Sequence, residues 1–240
     1  MNGTCALNDS NWKRLHPERG ASLHDARVVL HMAAQLPAAA AVTRIAARSD
    51  FSHTALTWNR NAGALTTDAL PSGDRVGLRL SDFSVVMLDS VGKTSATLPL
   101  GTRTFTESLA WLAFELDVST LDRPAHDLPW DPVEEEKPFG QPPIAVLSEL
   151  DAWYDNADHL LRRVAASRAG AGPVVCWPHH FDMATLLNYH HLPEEGRSIG
   201  VGMSPGDGSY DEPYFYVTPW PAPRDTILPK LEHGGAWHRE

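Results

Sequence analysis

Apolar positions along this chain keep two different rhythms. Ala26, Val29, Ala33 and Leu36 recur at helical spacing, and Ser22 followed three residues later by Asp25 has the form of a capping box. Pro37 clashes with a continuing turn, so the pattern predicts a helix over 23–36 and then an Ala-rich connection. The rhythm shortens to two in HTALTW, GALTTDAL, RVGLRL, SVVMLD and SATLPL, which Gly, Asp and Asn separate. Such a series predicts an antiparallel meander. TFTESLAWLAFEL returns to helical spacing, with Phe105, Leu109, Leu112 and Leu116 on one face. The strongest helix follows, with Leu147, Leu150, Tyr154, Ala157, Leu161 and Val164 in one stripe. Asp151, Asp155, Asp158 and Arg162 lie off that stripe, and Gly170 and Gly172 close the element. VVCWPHHF, SIGVGM and PYFYVTPW then read as three further strands.

Between the two middle helices, residues 119–143 hold six prolines and no period. A connection of that length inside a domain is uncommon, and Trp130 and Phe139 are placed to pin it as a surface wrap. The run Glu134, Glu135, Glu136 reads as a solvated turn. Helix, meander, helices, meander is the order of an α+β protein, with antiparallel sheets and helices packed on one face, not of a parallel βαβ sheet. The expected organisation is an N-terminal extension over 1–21 and one domain over 22–240. Two similar halves are a second arrangement, although no sequence repeat marks them.

Composition narrows the partners. With 240 residues, 42% of them hydrophobic, the chain builds a core that needs no disulfide or structural metal. A formal net charge of −10 argues against a nucleic-acid groove and against an anionic membrane surface. Cys5 and Cys176 stand far apart and make no disulfide framework. The polar start lacks an apolar signal core, and LPAAAAV is too short to span a bilayer. These features read as a cytoplasmic bacterial protein.

Several apparent motifs fail on context. GMSPG, Gly202 to Gly206, matches the nucleophile elbow, but that turn must feed a helix, and GDGSYDEP has the form of a hairpin loop. SVGKT ends like a phosphate-binding loop, yet the first glycine of that motif falls on Met87, so a glycine-bearing hairpin is the better reading. GVGM lacks the third glycine of a dinucleotide loop. Asp211 and Glu212 beside Tyr214 and Tyr216 offer a carboxylate pair for acid–base work, though a turn entering a strand explains them as well.

Twelve histidines remain. In a continuous strand, Cys176, Pro178, His180 and Asp182 would face one way, with Trp177, His179 and Phe181 on the other side. His180 and Asp182 could then chelate a divalent metal from one strand, with His233 or His238 completing the set for a hydrolase or oxygenase. On the first helix His31 and Gln35 lie one turn apart and could line a polar cleft, while His24 is too far from His31 to share an ion with it.

Six fragments, LHMAAQL, SHTAL, GALTT, KPF, CWPHHFDMA and DEPYFYV, together resemble a family of bacterial proteins known only as a domain of unknown function. They occur in the family's order between about residues 22 and 220. The characteristic positions of that pattern fall on His31, Gln35, His53, Trp177, Phe181 and Asp182. After Gln35 the chain runs LPAAAA where relatives tend to carry a basic residue, which argues against a phosphate or carboxylate partner there. The resemblance implies an architecture and no activity. The leading expectation is therefore a polar and aromatic pocket between the first helix and the C-terminal meander. There His31, Gln35, His53, Trp177, His180 and Asp182 would bind a small polar molecule. A metal-dependent enzyme using His180 and Asp182 is the second expectation. A protein-interaction module using the proline-rich loop is the third.

Overall fold

The computed structural model describes residues 11–124, 128, 136–189, 196–222, 228, 230–232 and 234–238. The chain enters through a 3-10 turn, Pro17–Ser22, and then forms α1 (His24–Ala33) and α2 (Gln35–Arg44). Pro37 does not end the helical run. It is the third residue of α2, where the missing N–H would have had no intrahelical acceptor in any case. The expected Ala-rich connection is thus a helix, and Leu36 and Ala38, Ala39, Ala40 and Ala41 are fully buried in it. Alanine favours the helix and lets neighbouring elements approach closely. The box read at Ser22 and Asp25 does not form, because Ser22 Oγ donates instead to the Arg19 carbonyl at 2.7 Å. A capping box does form at Thr104 and Glu107, ahead of α3 (Phe105–Glu115).

The first meander is an antiparallel five-stranded sheet in chain order: β1 (Thr57–Asn59), β2 (Ala64–Thr66), β3 (Arg75–Arg79), β4 (Ser84–Leu88) and β5 (Thr94–Pro99). Gly92, at φ 84°, turns the β4–β5 hairpin, and Asp89 Oδ1 accepts from the Lys93 N–H. The SVGKT glycine is a turn residue, as its context implied. The second sheet is β6 (Val175–Trp177), β7 (Asp182–Asn188), β8 (Ser198–Ser204) and β9 (Tyr214–Trp220), again antiparallel and in chain order. Leu56, just before β1, bridges Cys176 of β6 through two backbone hydrogen bonds of 2.9 and 2.7 Å, so the two sheets meet at their first strands. The molecule is α+β, with each half running helix then meander.

Between the sheets lies α4 (Ile144–Ala166), which packs on β1, β7, β8 and α1. Its apolar stripe is buried from Leu147 to Leu161 as the spacing predicts. Its acidic side, off the stripe, is also buried: Glu149, Asp151, Asp155 and Asp158 are all inside. Each is matched. Lys13 Nζ meets Asp151 at 2.6 Å, the His16 N–H donates to Glu149 at 2.7 Å, and Arg162 bonds Asp158 at 2.8 Å. Asp155 accepts from Trp58 Nε1 at 2.8 Å and from Arg60 Nε at 2.9 Å. The N-terminal segment from Lys13 onward is therefore docked on the helix rather than hanging free of the domain. Of the proline-rich loop, Phe139 packs edge-on to Phe83, and its N–H donates to the Arg103 carbonyl. Trp130 lies outside the described residues.

Removing the Asp155 carboxylate strands a buried indole N–H and a guanidinium together. Asp155→Ala is expected to lower stability by about 2–4 kcal/mol in urea unfolding, well beyond Asp82→Ala at the surface.

Candidate functional site

VVCWPHHF is not one strand. Residues 178–181 form the turn of the β6–β7 hairpin, closed by the Phe181 N–H donating to the Trp177 carbonyl at 2.7 Å. Phe181 takes the left-handed conformation, with φ at 58°. The alternation expected through this stretch therefore fails. Trp177 and Asp182 are direct partners across the hairpin and share a face, because opposed residues on antiparallel strands project the same way.

Three side chains from the helices hold the turn. His31 Nε2 donates to the Pro178 carbonyl at 2.9 Å, and Gln35 Nε2 donates to the same oxygen at 2.7 Å. The Tyr154 hydroxyl, from the middle of α4, donates to the Phe181 carbonyl. The His31 ring stacks on Phe181 with 5.5 Å between centroids. Burial pushes His31 down to about 4, so it is a neutral imidazole at neutral pH. His31 and Gln35 are thus committed to the backbone of the hairpin, which makes them supports of the site. His53 lies in the 3-10 turn Ser52–Thr54, where its Nδ1 accepts from the Arg48 N–H at 3.2 Å and its ring stacks on Phe51. These contacts tie His53 to its own loop.

Asp182 opens β7 and is only 8% exposed. Its Oδ2 accepts from the Tyr216 hydroxyl, which reaches over from β9. Gly202 of β8 lies between, opposite Tyr216, and any Cβ there would overlap the phenol ring. The glycine lets the tyrosine lie across the sheet. Among the described residues the buried Asp182 Oδ1 has no hydrogen-bond partner, and His180 Nδ1 stands 4.0 Å away on an imidazole that is 71% exposed. Burial pushes the Asp182 carboxyl up, against the lowering influence of Tyr216 and His180. Trp177, Ala184, Tyr214 and Tyr216 on this face are half-exposed, while α4 covers the opposite face at Met183 and Met203. Tyr216 is the residue that spacing missed. Its signal was the alternation of YFY opposite a glycine, and that becomes legible only once the register of β8 and β9 is known.

The neighbouring loop uses the other candidates structurally. Ser204 ends β8, its Oγ accepts from the Gly206 N–H at 3.2 Å, and the chain turns into a hairpin loop, so GMSPG is no nucleophile elbow. Arg27 Nη1 donates to the Asp207 carbonyl, Asp207 accepts from the Tyr214 hydroxyl, and His24 lies 3.4 Å from Asp211. Glu212 packs beside Gly20. Asp211 and Glu212 thus engage different partners.

Among the described residues no group of three or more His, Cys, Asp or Glu converges to hold a metal ion. His180 and Asp182 remain a pair; His238 bonds the Tyr210 hydroxyl at 2.8 Å, and His233 lies outside the described residues. A polar hollow of about 480 Å³ lies elsewhere, lined in part by Asn59, Arg60, Asn61, Asp68 and Arg75. Its charged side chains already serve the fold: Arg60 on Asp155, Arg75 on the Thr67 carbonyl, Asp68 on Arg48. The Asp182 face has the unsatisfied chemistry and is the better candidate. No family model, curated protein or solved structure matches this chain. No described helix is long and apolar enough to cross a membrane.

His31 makes a pH test of the support. Its folded value near 4 lies below the ordinary 6.5, so the unfolded chain takes up the proton first as pH falls. The stabilising contribution is complete above 6.5 and is lost progressively toward 4. Urea unfolding is expected to show the native chain losing up to about 3 kcal/mol more than His31→Gln over that window.

Proposed function

We propose that this chain binds a small polar ligand on the half-exposed face of the second sheet, with Asp182 as its anchor. The observation that carries this reading is the buried Oδ1 of Asp182. Among the described residues it has no hydrogen-bond partner, whereas Glu149, Asp151, Asp155 and Asp158 are each hydrogen-bonded. A buried acceptor without a donor costs stability, and native structures retain such groups chiefly where a ligand or ordered water completes them. The surrounding parts suit a binding role. His31, Gln35 and Tyr154 fix the turn that presents Asp182, and Tyr216 holds its other oxygen. Trp177 supplies an apolar wall beside it, as direct cross-strand partner.

The two sequence fragments CWPHHFDMA and DEPYFYV supply the acceptor and the donor of the Asp182–Tyr216 hydrogen bond. Membership of the uncharacterised family is part of the same proposal. His31 and Gln35 act from behind, as positioning groups, and His180 is the exposed side chain at the entrance.

A library of small polar compounds screened by ligand-observed NMR tests the reading. Hits are expected against the native chain and to weaken at least tenfold against Asp182→Asn. They should also weaken against Gly202→Ala, which displaces the Tyr216 ring. A hit set unchanged in both variants places binding elsewhere and overturns the proposal. The first of these variants also carries a stability expectation. Folding raises the proton affinity of Asp182, so its ionisation opposes folding at neutral pH. Asp182→Asn is therefore expected to melt no lower than the native chain at pH 7.5, and relatively lower at pH 4.

A further inference from the structure

On that reading of the site, the chemistry around Asp182 also selects the class of ligand. We propose that Asp182 and the aromatic side chains on either side of it receive a small organic cation, an ammonium or amidinium carried on an apolar body. Its N–H groups would take the unpartnered Oδ1.

Three observations carry the choice. The orphan atom is a carboxylate oxygen, a pure acceptor when ionised, so its complement is a donor; a charged donor forms the shorter and stronger bond. The groups flanking it are aromatic. Trp177 lies directly across the hairpin from Asp182, and the His179 ring is 5.7 Å from Trp177 and 4.3 Å from His180. On the other side stand Tyr216 and Tyr214, with ring centroids 6.3 Å apart. Aromatic faces attract cations and offer nothing to an anion. Thirdly, the Arg27 guanidinium is already turned toward the Asp207 carbonyl in the β8–β9 loop, and the chain as a whole carries −10. An anionic ligand would meet a buried carboxylate within a negative field.

His180 defines the entrance. At 4.0 Å its Nδ1 is beyond hydrogen-bonding distance of the buried Oδ1. With most of the imidazole in solvent, rotation away from the carboxylate breaks no hydrogen bond to Asp182. The arriving cation takes the space the ring leaves, with its apolar body against Trp177. A bare metal ion is a poorer fit, because one carboxylate and one imidazole make an incomplete coordination shell.

The test uses three probes of nearly one shape, benzamidinium, benzamide and benzoate, with propylammonium as a slimmer cation, each titrated into the full chain by calorimetry. Cation binding is expected with benzamide at least tenfold weaker and benzoate undetected. Asp182→Asn should abolish the preference, and Trp177→Leu should weaken the cations severalfold. Trp177→Leu, which leaves Asp182 in place, serves as the readout if Asp182→Asn does not fold, and cation binding unchanged in it then overturns the proposal. Equal binding of benzamide and benzamidinium overturns the cation proposal and leaves the Asp182 site standing. Cation binding that survives Asp182→Asn is nonspecific attraction to an acidic surface and overturns it too. Failure of both cations, while neutral library hits still depend on Asp182, rejects the class alone. Failure of the library as well rejects the site.

Discussion

One helix buried on two sides places the N-terminal segment, the first strand and the second sheet. The apolar stripe of α4 from Leu147 to Leu161 would suffice to attach it to a sheet. Burying Glu149, Asp151, Asp155 and Asp158 as well is costly, and it is tolerable only because each carboxylate finds a donor with good geometry. Those donors come from the N-terminal segment, from β1 and its following turn, and from the helix itself. The acidic side therefore acts as a key: Lys13 and His16 define where the N-terminal segment lies, and Trp58 and Arg60 define where the first sheet lies. Burial of Asp151 outweighs the lowering influence of Lys13 and pushes its carboxyl up.

The same helix reaches the candidate site. Tyr154 belongs to the apolar stripe, yet its hydroxyl emerges at the far side of the core and donates to the Phe181 carbonyl. With His31 and Gln35 both on Pro178, the turn between β6 and β7 has its carbonyls at both ends held by fully or largely buried donors. A turn so constrained has little freedom to adjust its next residue. Asp182 consequently keeps one satisfied oxygen and one unsatisfied oxygen, because the frame that would have to move to satisfy it is committed elsewhere. Rigid support behind an open valence is the arrangement that binding sites require.

Periodicity made most of the elements legible, and it failed where a local rule was broken. Alternation marked the five strands of the first sheet and helical spacing marked α3 and α4, although HTALTW opens in the 3-10 turn Ser52–Thr54 and β4 is buried along its whole length. The α2 helix was hidden by Pro37, whose usual meaning as a helix terminator does not hold in a first turn. The hairpin inside WPHHF was hidden for the opposite reason. Left-handed turn positions are expected to be Gly or Asn, and here the position is filled by Phe181, held there by stacking on His31 and by the Tyr154 hydrogen bond. Missing that turn put Trp177 and Asp182 on opposite faces, when the register makes them partners. Pairing of Asp182 with Tyr216 could not be read either, since it depends on three strands being aligned so that Gly202 lies beneath the ring. His31, Gln35, Trp177, His180 and Asp182 do gather around one hairpin, but in different capacities, and His53 belongs to another loop.

Burial acts on His31 and Asp182 with one physical cause and two opposite consequences. It disfavours charge on both, which pushes the imidazole down to about 4 and pushes the carboxyl up from its ordinary value. At His31 the neutral form is also the useful one, because its Nε2–H and its ring are both engaged with the hairpin. At Asp182 the neutral form is a compromise: protonation relieves the cost of an isolated buried charge but supplies no partner for Oδ1. On the proposed reading an external cationic donor would meet that oxygen and favour the ionised form, as Tyr216 does through Oδ2. The two groups are therefore not equivalent members of one polar cluster. One is a finished structural contact, and the other is an interaction with half of its chemistry still to be supplied.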